Sequence, residues 1–158
     1  TANDFEDAFR QHLVNNQLLT QAVLPGMKKE GYGRVINIIS TSVKIPIDNL
    51  GVSNTIRAAV AAWAKTLSNE VGQYNITVNN VLPGSTQTAR LGSLIEEMAK
   101  KKQLSRETVA TAMMNTIPMK RFGLPEEIAN VAAFLASPAA SYVNGASIPV
   151  DGGRTGSI

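Results

Sequence analysis

The chain has 158 residues, 44% hydrophobic and 17% charged, an ordinary globular balance that excludes a disordered or fibrous protein and fits one domain. Its fifteen Lys and Arg against twelve Asp and Glu leave a formal charge of +3 that is scattered, with only Lys100, Lys101 and Lys102 in a run. That run reads as a solvated helix face, so nucleic acid is not an expected partner.

The absence of cysteine removes disulfides and thiolate metal sites, and a single histidine argues against a zinc cluster. No apolar stretch approaches the ~20 residues that a bilayer crossing needs. The opening Thr-Ala-Asn-Asp-Phe-Glu-Asp is acidic and holds no signal-peptide core. A cytoplasmic protein without metal or membrane contacts is therefore expected. The chain also opens on a helix cap instead of a first strand, so its numbering is expected to start inside a longer protein.

Asn3 or Asp4 is positioned to cap a long first helix, whose apolar residues Phe5, Phe9, Leu13, Leu18, Leu19 and Val23 recur at helical spacing; Pro25-Gly26 marks a bend near its end. Gly31-Tyr32-Gly33 punctuates a turn. The β-branched run 34–40, Arg-Val-Ile-Asn-Ile-Ile-Ser, then reads as a buried parallel strand. From about Val52 to Val71, the residues Ala58, Ala59, Ala61, Ala62 and Ala64 surround Trp63 and Leu67 in a helix with a small-residue face suited to close packing. Gly72 stops it, and Ile76–Val81 forms a second strand. Further helices are expected over Leu91–Lys102, after Ser105-Arg106-Glu107, and from Pro125-Glu126-Glu127, where proline at the first helical position and the acids behind it suit a helix start. Ala146–Val150 is the third strand.

This alternation implies an α/β fold with parallel strands and right-handed crossovers. Three strands make a small sheet, and the first would present an unpaired edge, which natural proteins cover or pair. Residues 1–158 therefore read as the C-terminal part of a single doubly wound domain, with three strands and flanking helices and without an N-terminal dinucleotide-binding half.

Four local patterns bear on chemistry. The first strand ends at Ser40, at the carboxyl edge where doubly wound sheets bind ligands. The second strand runs into Pro83-Gly84-Ser85-Thr86-Gln87-Thr88, a turn whose freed backbone groups suit an amide ligand. Arg121-Phe122-Gly123-Leu124-Pro125-Glu126-Glu127 follows, and then Tyr142-Val143-Asn144-Gly145 leading to Asp151-Gly152-Gly153. Each is weak alone; their order and spacing are specific.

Together, from the helix at Phe5 to Asp151-Gly152-Gly153, they resemble the short-chain dehydrogenase/reductase family, most closely its 3-oxoacyl-(acyl-carrier-protein) reductase-like members. The resemblance implies a Rossmann-type sheet of which this stretch is the last three strands, an NAD or NADP cofactor, and hydride transfer to or from a small-molecule carbonyl or alcohol, possibilities that include a 3-oxoacyl thioester. It places the family's catalytic serine on Ser40, its tyrosine on Ser53, its lysine on Arg57 and its helical asparagine on His12, with Asn15 and Asn16 a turn further along. Three of these four positions depart from the family's residues. Leu50 to Ala58 resembles a divergent subgroup that carries this serine and arginine. Pro83, Gly84, Thr86 and Thr88 match the segment that contacts the nicotinamide carboxamide, and Tyr142 matches a structural tail position.

A tyrosine, with an unperturbed pKa of about 10, is a far stronger acid than serine, and general acid catalysis contributes roughly 10²–10⁴-fold. Arg57 keeps a positive charge and, as a planar multidentate donor, can fork onto the ribose hydroxyls. His12 is the one side chain whose ordinary titration falls near neutrality. It reads either as part of a proton relay or as a helix histidine bonded to backbone. Two functions stay open: an oxidoreductase, or a non-catalytic relative acting in cofactor sensing or assembly. A homodimer or homotetramer is expected, joined through the helix from Phe5 and the Ala58–Ala64 face. Leu91, Leu94, Ile95, Met98, Met113 and Met114 read equally as a substrate lining and as helix packing.

Overall fold

The computed structural model describes residues 1–156. Its first helical stretch runs as α1 (Ala2–Phe9), a π-helical turn (Arg10–Val14) and α2 (Asn15–Glu30). The cap is Thr1, not Asn3 or Asp4: Thr1 Oγ1 accepts the Asp4 N–H, and the Asp4 carboxylate answers at the chain's first nitrogen. Pro25 falls near the helix end, as its spacing suggests. It lies inside α2, which continues to Glu30 because the stop is set by Gly31 in the left-handed region (φ 60°), where a residue without Cβ is unstrained.

Strands β1 (Gly33–Ile38), β2 (Ile76–Pro83) and β3 (Ser147–Val150) form a parallel sheet in that order, with Val35 opposite Val78 and Val81 opposite Ile148. Helix α3 (Gly51–Val71) crosses one face, where Ala64, Leu67 and Val71 meet Ile76 and Val78, with Leu24 and Met27 of α2 beside them. Helix α6 (Pro125–Ala136) covers the other, where Ile128 and Leu135 meet Val81, Ile36 and Ile148. The central β2 is buried along its length to Leu82.

β1 departs from the expected buried strand. It lies at the sheet edge, is only partly buried, and leaves Ile38 50% exposed, with one side of its ladder unpaired among the described residues. Helices α4 (Ala89–Lys102) and α5 (Arg106–Asn115) pack on each other through Leu91, Ile95, Ala99 and Val109, closed by Ile117 and Phe122. Met98, Met113 and Met114 join that cluster while Leu94 points outward, so most of these apolar residues serve helix packing. Lys100, Lys101 and Lys102 are exposed in the last turn of α4, where cations suit the helix dipole.

Candidate active site

The carboxyl ends of β1 and β2 lie side by side, and the Ile39 N–H continues the pairing beyond β1 by donating to the Val81 carbonyl at 2.9 Å. Ser40 follows with extended backbone and caps a short 3-10 turn over Thr41–Val43. Its Oγ accepts the Ser42 N–H at 3.1 Å, which leaves its own O–H free to donate outward.

Ser53 and Arg57 stand one turn apart in the first half of α3. Arg57 Nε donates to Ser53 Oγ at 3.2 Å, and Arg57 Nη1 donates to the Ile39 carbonyl at 3.0 Å. The guanidinium thus ties the helix to the strand end next to Ser40. Burial lowers the Arg57 pKa from its ordinary value, and the charge of Arg90 adds to the shift. Asn54 anchors the loop before α3: its Nδ2 donates to the Ile47 carbonyl at 2.8 Å, and its Oδ1 accepts the Ile47 N–H.

His12 sits in the π-helical turn, a distortion frequent at functional sites. It lines a cavity of ≈ 180 Å³ with Asn16, Asn37, Arg57 and Val60, alongside the open edge of β1. His12 and Arg57 thus share one cavity, whereas Asn15 does not line it. Asn37 was missed by the sequence reading. Its Nδ2 donates to Asn80 Oδ1 at 3.0 Å, and Asn80 Nδ2 donates to Ser147 Oγ at 3.0 Å, a polar row across all three strands. An asparagine inside a β-branched run was the available signal.

In the Pro-Gly segment, Pro83 ends β2 and the Gly84 N–H donates to the Val150 carbonyl at 3.0 Å. A Cβ on Gly84 would lie 2.6 Å from Asp151 Cβ and 2.9 Å from Asp151 Cα, so only glycine fits there. Thr86 Oγ1 donates to the Gly84 carbonyl, and Thr86 pairs with Gly123. Thr88 is engaged as the cap of α4, accepting the Leu91 N–H.

The remaining two patterns hold this edge in place. Arg121 forks onto Glu127 at 2.8 and 2.6 Å, while Glu127 also accepts the Leu124 N–H. Asn144 accepts the Val78 N–H and donates to the Ser68 carbonyl. Tyr142 corrects an expectation: its ring is fully exposed (102%) and therefore structures nothing within this chain. Among the described residues, no group of three or more His, Asp or Glu is placed to hold a metal, and no helix is long and apolar enough to cross a membrane.

This geometry can be set beside known proteins. Residues 1–155 match the family model described as enoyl-(acyl carrier protein) reductase. The NADPH-dependent reductase BacG of Bacillus subtilis is 39% identical over 132 residues, covering 84% of this chain and 51% of that protein. The 3-oxoacyl-(acyl-carrier-protein) reductase FabG of Aquifex aeolicus is 37% identical over 152 residues, 95% of this chain and 56% of that one. Among solved structures, YwfH, an NADPH-dependent reductase involved in bacilysin biosynthesis, superposes with a TM-score of 0.93 at 35% identity, covering 100% of this chain and 61% of that chain. Levodione reductase gives 0.90 at 29%, covering 100% and 60%. The chain spans about half the length of the curated relatives it matches. Its Rossmann-type arrangement and its match over residues 1–155 make the conclusion direct: the chain belongs to the short-chain dehydrogenase/reductase family.

Proposed function

We propose that the full-length protein is a nicotinamide-dependent oxidoreductase acting on a carbonyl or alcohol, with Ser40, Ser53 and Arg57 at the reacting end. The observation that carries this reading is the pair of hydrogen bonds that Arg57 donates to Ser53 Oγ and to the Ile39 carbonyl beside Ser40. Two altered residues that stay joined to each other and to the backbone next to the retained serine favour an enzyme over a non-catalytic relative.

The residues fit the nicotinamide end of such a cofactor. Arg57 uses two of its five N–H donors, leaving three for ribose hydroxyls. The Gly84 turn, kept slim by the approach of Asp151, borders the same carboxyl edge. The NADPH-dependent relatives favour NADPH over NADH. The adenosine and pyrophosphate contacts belong to a preceding half, which would pair with the open edge of β1 and make residues 1–158 the C-terminal part of one domain. A bound nicotinamide supplies or receives the hydride.

The chain's own groups manage the oxygen. Ser40 donates its free O–H to the substrate oxygen. The Arg57 N–H on Ser53 Oγ withdraws electron density from that hydroxyl and favours its deprotonated form, recovering part of what the missing tyrosine would give. His12, across the cavity from Arg57, carries the proton onward. In the cell the protein acts in the cytoplasm on a small molecule, as a homodimer or homotetramer. The outward residues Phe9, Leu19 and Val23 and the exposed Ala58 and Ala62 form the mating surface.

Calorimetric titration of the full-length protein with NADPH and NADH tests this reading. NADPH binding on the order of micromolar is expected, weakened about tenfold in Arg57→Ala. Binding of neither cofactor would overturn it.

A further inference from the structure

The loop that joins the Ser40 turn to α3 has little apolar burial to hold it. Within residues 44–50 only Ile47 is half-buried, and the others are exposed. Asn49 stands in the left-handed region (φ 64°), a conformation that a residue with a side chain keeps where its surroundings impose it. Leu50, at the start of α3, supplies no side-chain cap. Among the described residues, the hydrogen bonds that reach 46–49 from outside the loop come from one side chain, Asn54.

Asn54 engages both backbone groups of Ile47: Nδ2 donates to its carbonyl at 2.8 Å, and Oδ1 accepts its N–H at 3.4 Å. The carboxamide pairs with the loop much as a neighbouring strand would. It does so from the turn of α3 that carries Ser53, and Arg57, three residues further along, is its neighbour on the helix surface. That part of α3 is therefore tied twice. Arg57 ties it to Ile39, the residue before Ser40, and Asn54 ties it to the loop that follows the Ser40 turn. The apolar contacts of α3 with the sheet, at Ala64, Leu67 and Val71, lie further along the helix. A helix end tied at one point is free to pivot about it. Two ties, one on either side of Ser40 in the chain, fix where Ser53 stands relative to Ser40.

We propose that Asn54 is a positioning residue for the reaction: through Ile47 it holds the Ser53 turn in place against the Ser40 edge, without itself touching substrate or cofactor. This rests on the reading of Ser40, Ser53 and Arg57 as the reacting end. A misplacement of about 1 Å in reacting groups costs on the order of 10²-fold in rate. Binding through other contacts survives such a shift, so the role of Asn54 belongs to kcat and not to affinity.

The test follows NADPH oxidation by the full-length protein with acetoacetyl-coenzyme A, ethyl acetoacetate and cyclohexanone, alongside calorimetric titration with NADPH. With each probe that the native protein reduces, Asn54→Ala is expected to lower kcat by roughly 10–100-fold, while KM and NADPH affinity stay close to native. Asn54→Gln, which keeps donor and acceptor on a longer arm, recovers part of kcat. Asn54→Asp, which turns an acceptor oxygen toward the Ile47 carbonyl, does not. If Asn54→Ala fails to fold, the Gln and Asp variants carry the same comparison. A native kcat in Asn54→Ala or Asn54→Asp overturns the positioning role, and so does a loss of NADPH affinity that matches the loss of kcat. Native protein that oxidises NADPH with none of the probes sinks the oxidoreductase reading and the positioning role with it. An active native protein whose Asn54→Ala variant is unaffected sinks the positioning role alone.

Discussion

The two ends of α3 do different work. Its C-terminal turns bury Ala64, Leu67 and Val71 against Ile76 and Val78 of the sheet, with dispersion and dehydration as the cohesive terms. Its N-terminal turns hold Ser53, Asn54 and Arg57, partly buried and bonded to backbone carbonyls or to each other. The hydrophobic end sets where the helix lies, and the polar end uses that placement to bring Arg57 to the Ile39 carbonyl next to Ser40. One helix thus separates apolar packing from polar bonding along its axis, and substitutions at its ends should be separable by experiment.

The largest effect is expected at the C-terminal end. Leu67→Ala removes a buried side chain from the cluster and should lower unfolding stability by about 2–5 kcal/mol, read from urea midpoints, while the folded fraction keeps its NADPH affinity. The reverse pattern is expected of Arg57→Ala: about a tenfold loss of NADPH affinity, or ~1.4 kcal/mol, with a smaller shift of the urea midpoint. If Arg57→Ala destabilises as much as Leu67→Ala, the two ends are not separable. The outer face gives a third case, because Ala58 and Ala62 touch neither core nor site. Ala62→Arg should lower the mass measured by light scattering and leave the urea m-value of the monomer intact; an unchanged mass would remove this face from the assembly surface.

The same division explains what was legible in the sequence. Local devices were readable: Ser105 capping α5, Pro125 opening α6, the glycine turn at Gly31, and the four-residue spacing that puts Ser53 and Arg57 on one helix face. The three parallel strands followed from β-branched runs alternating with helical periods. What was not readable depends on contacts between distant positions. The Arg57 bond to Ile39 spans eighteen residues, and Asn144 reaches Val78 and Ser68 across 66 and 76 residues. Asp4 was read as a cap because an acid near a helix start is a common signal, yet Thr1 precedes it and Asp4 completes the box as its third helical residue.

The smallest expected effect lies away from α3 and serves as its control. Glu127 accepts two bonds from Arg121 and one from the Leu124 N–H, and the Arg121 bonds, followed by that N–H, hold its pKa down to about 2 from an ordinary 4.5. A carboxylate with a depressed folded-state pKa stabilises the fold while it is ionised. The contribution is complete above pH 4.5, where the unfolded chain is ionised as well, and is lost as the pH falls from there through about 2. Both side chains are solvent-exposed, so screening keeps the gain small. Urea midpoints measured from pH 6 down to pH 2 should therefore fall less steeply for Glu127→Gln than for the native protein below pH 4.5, with no change in NADPH affinity near neutrality. Parallel slopes would show that the Arg121 fork contributes nothing to acid stability. A loss of cofactor affinity would show that the turn it braces, which pairs Gly123 with Thr86, reaches the site after all.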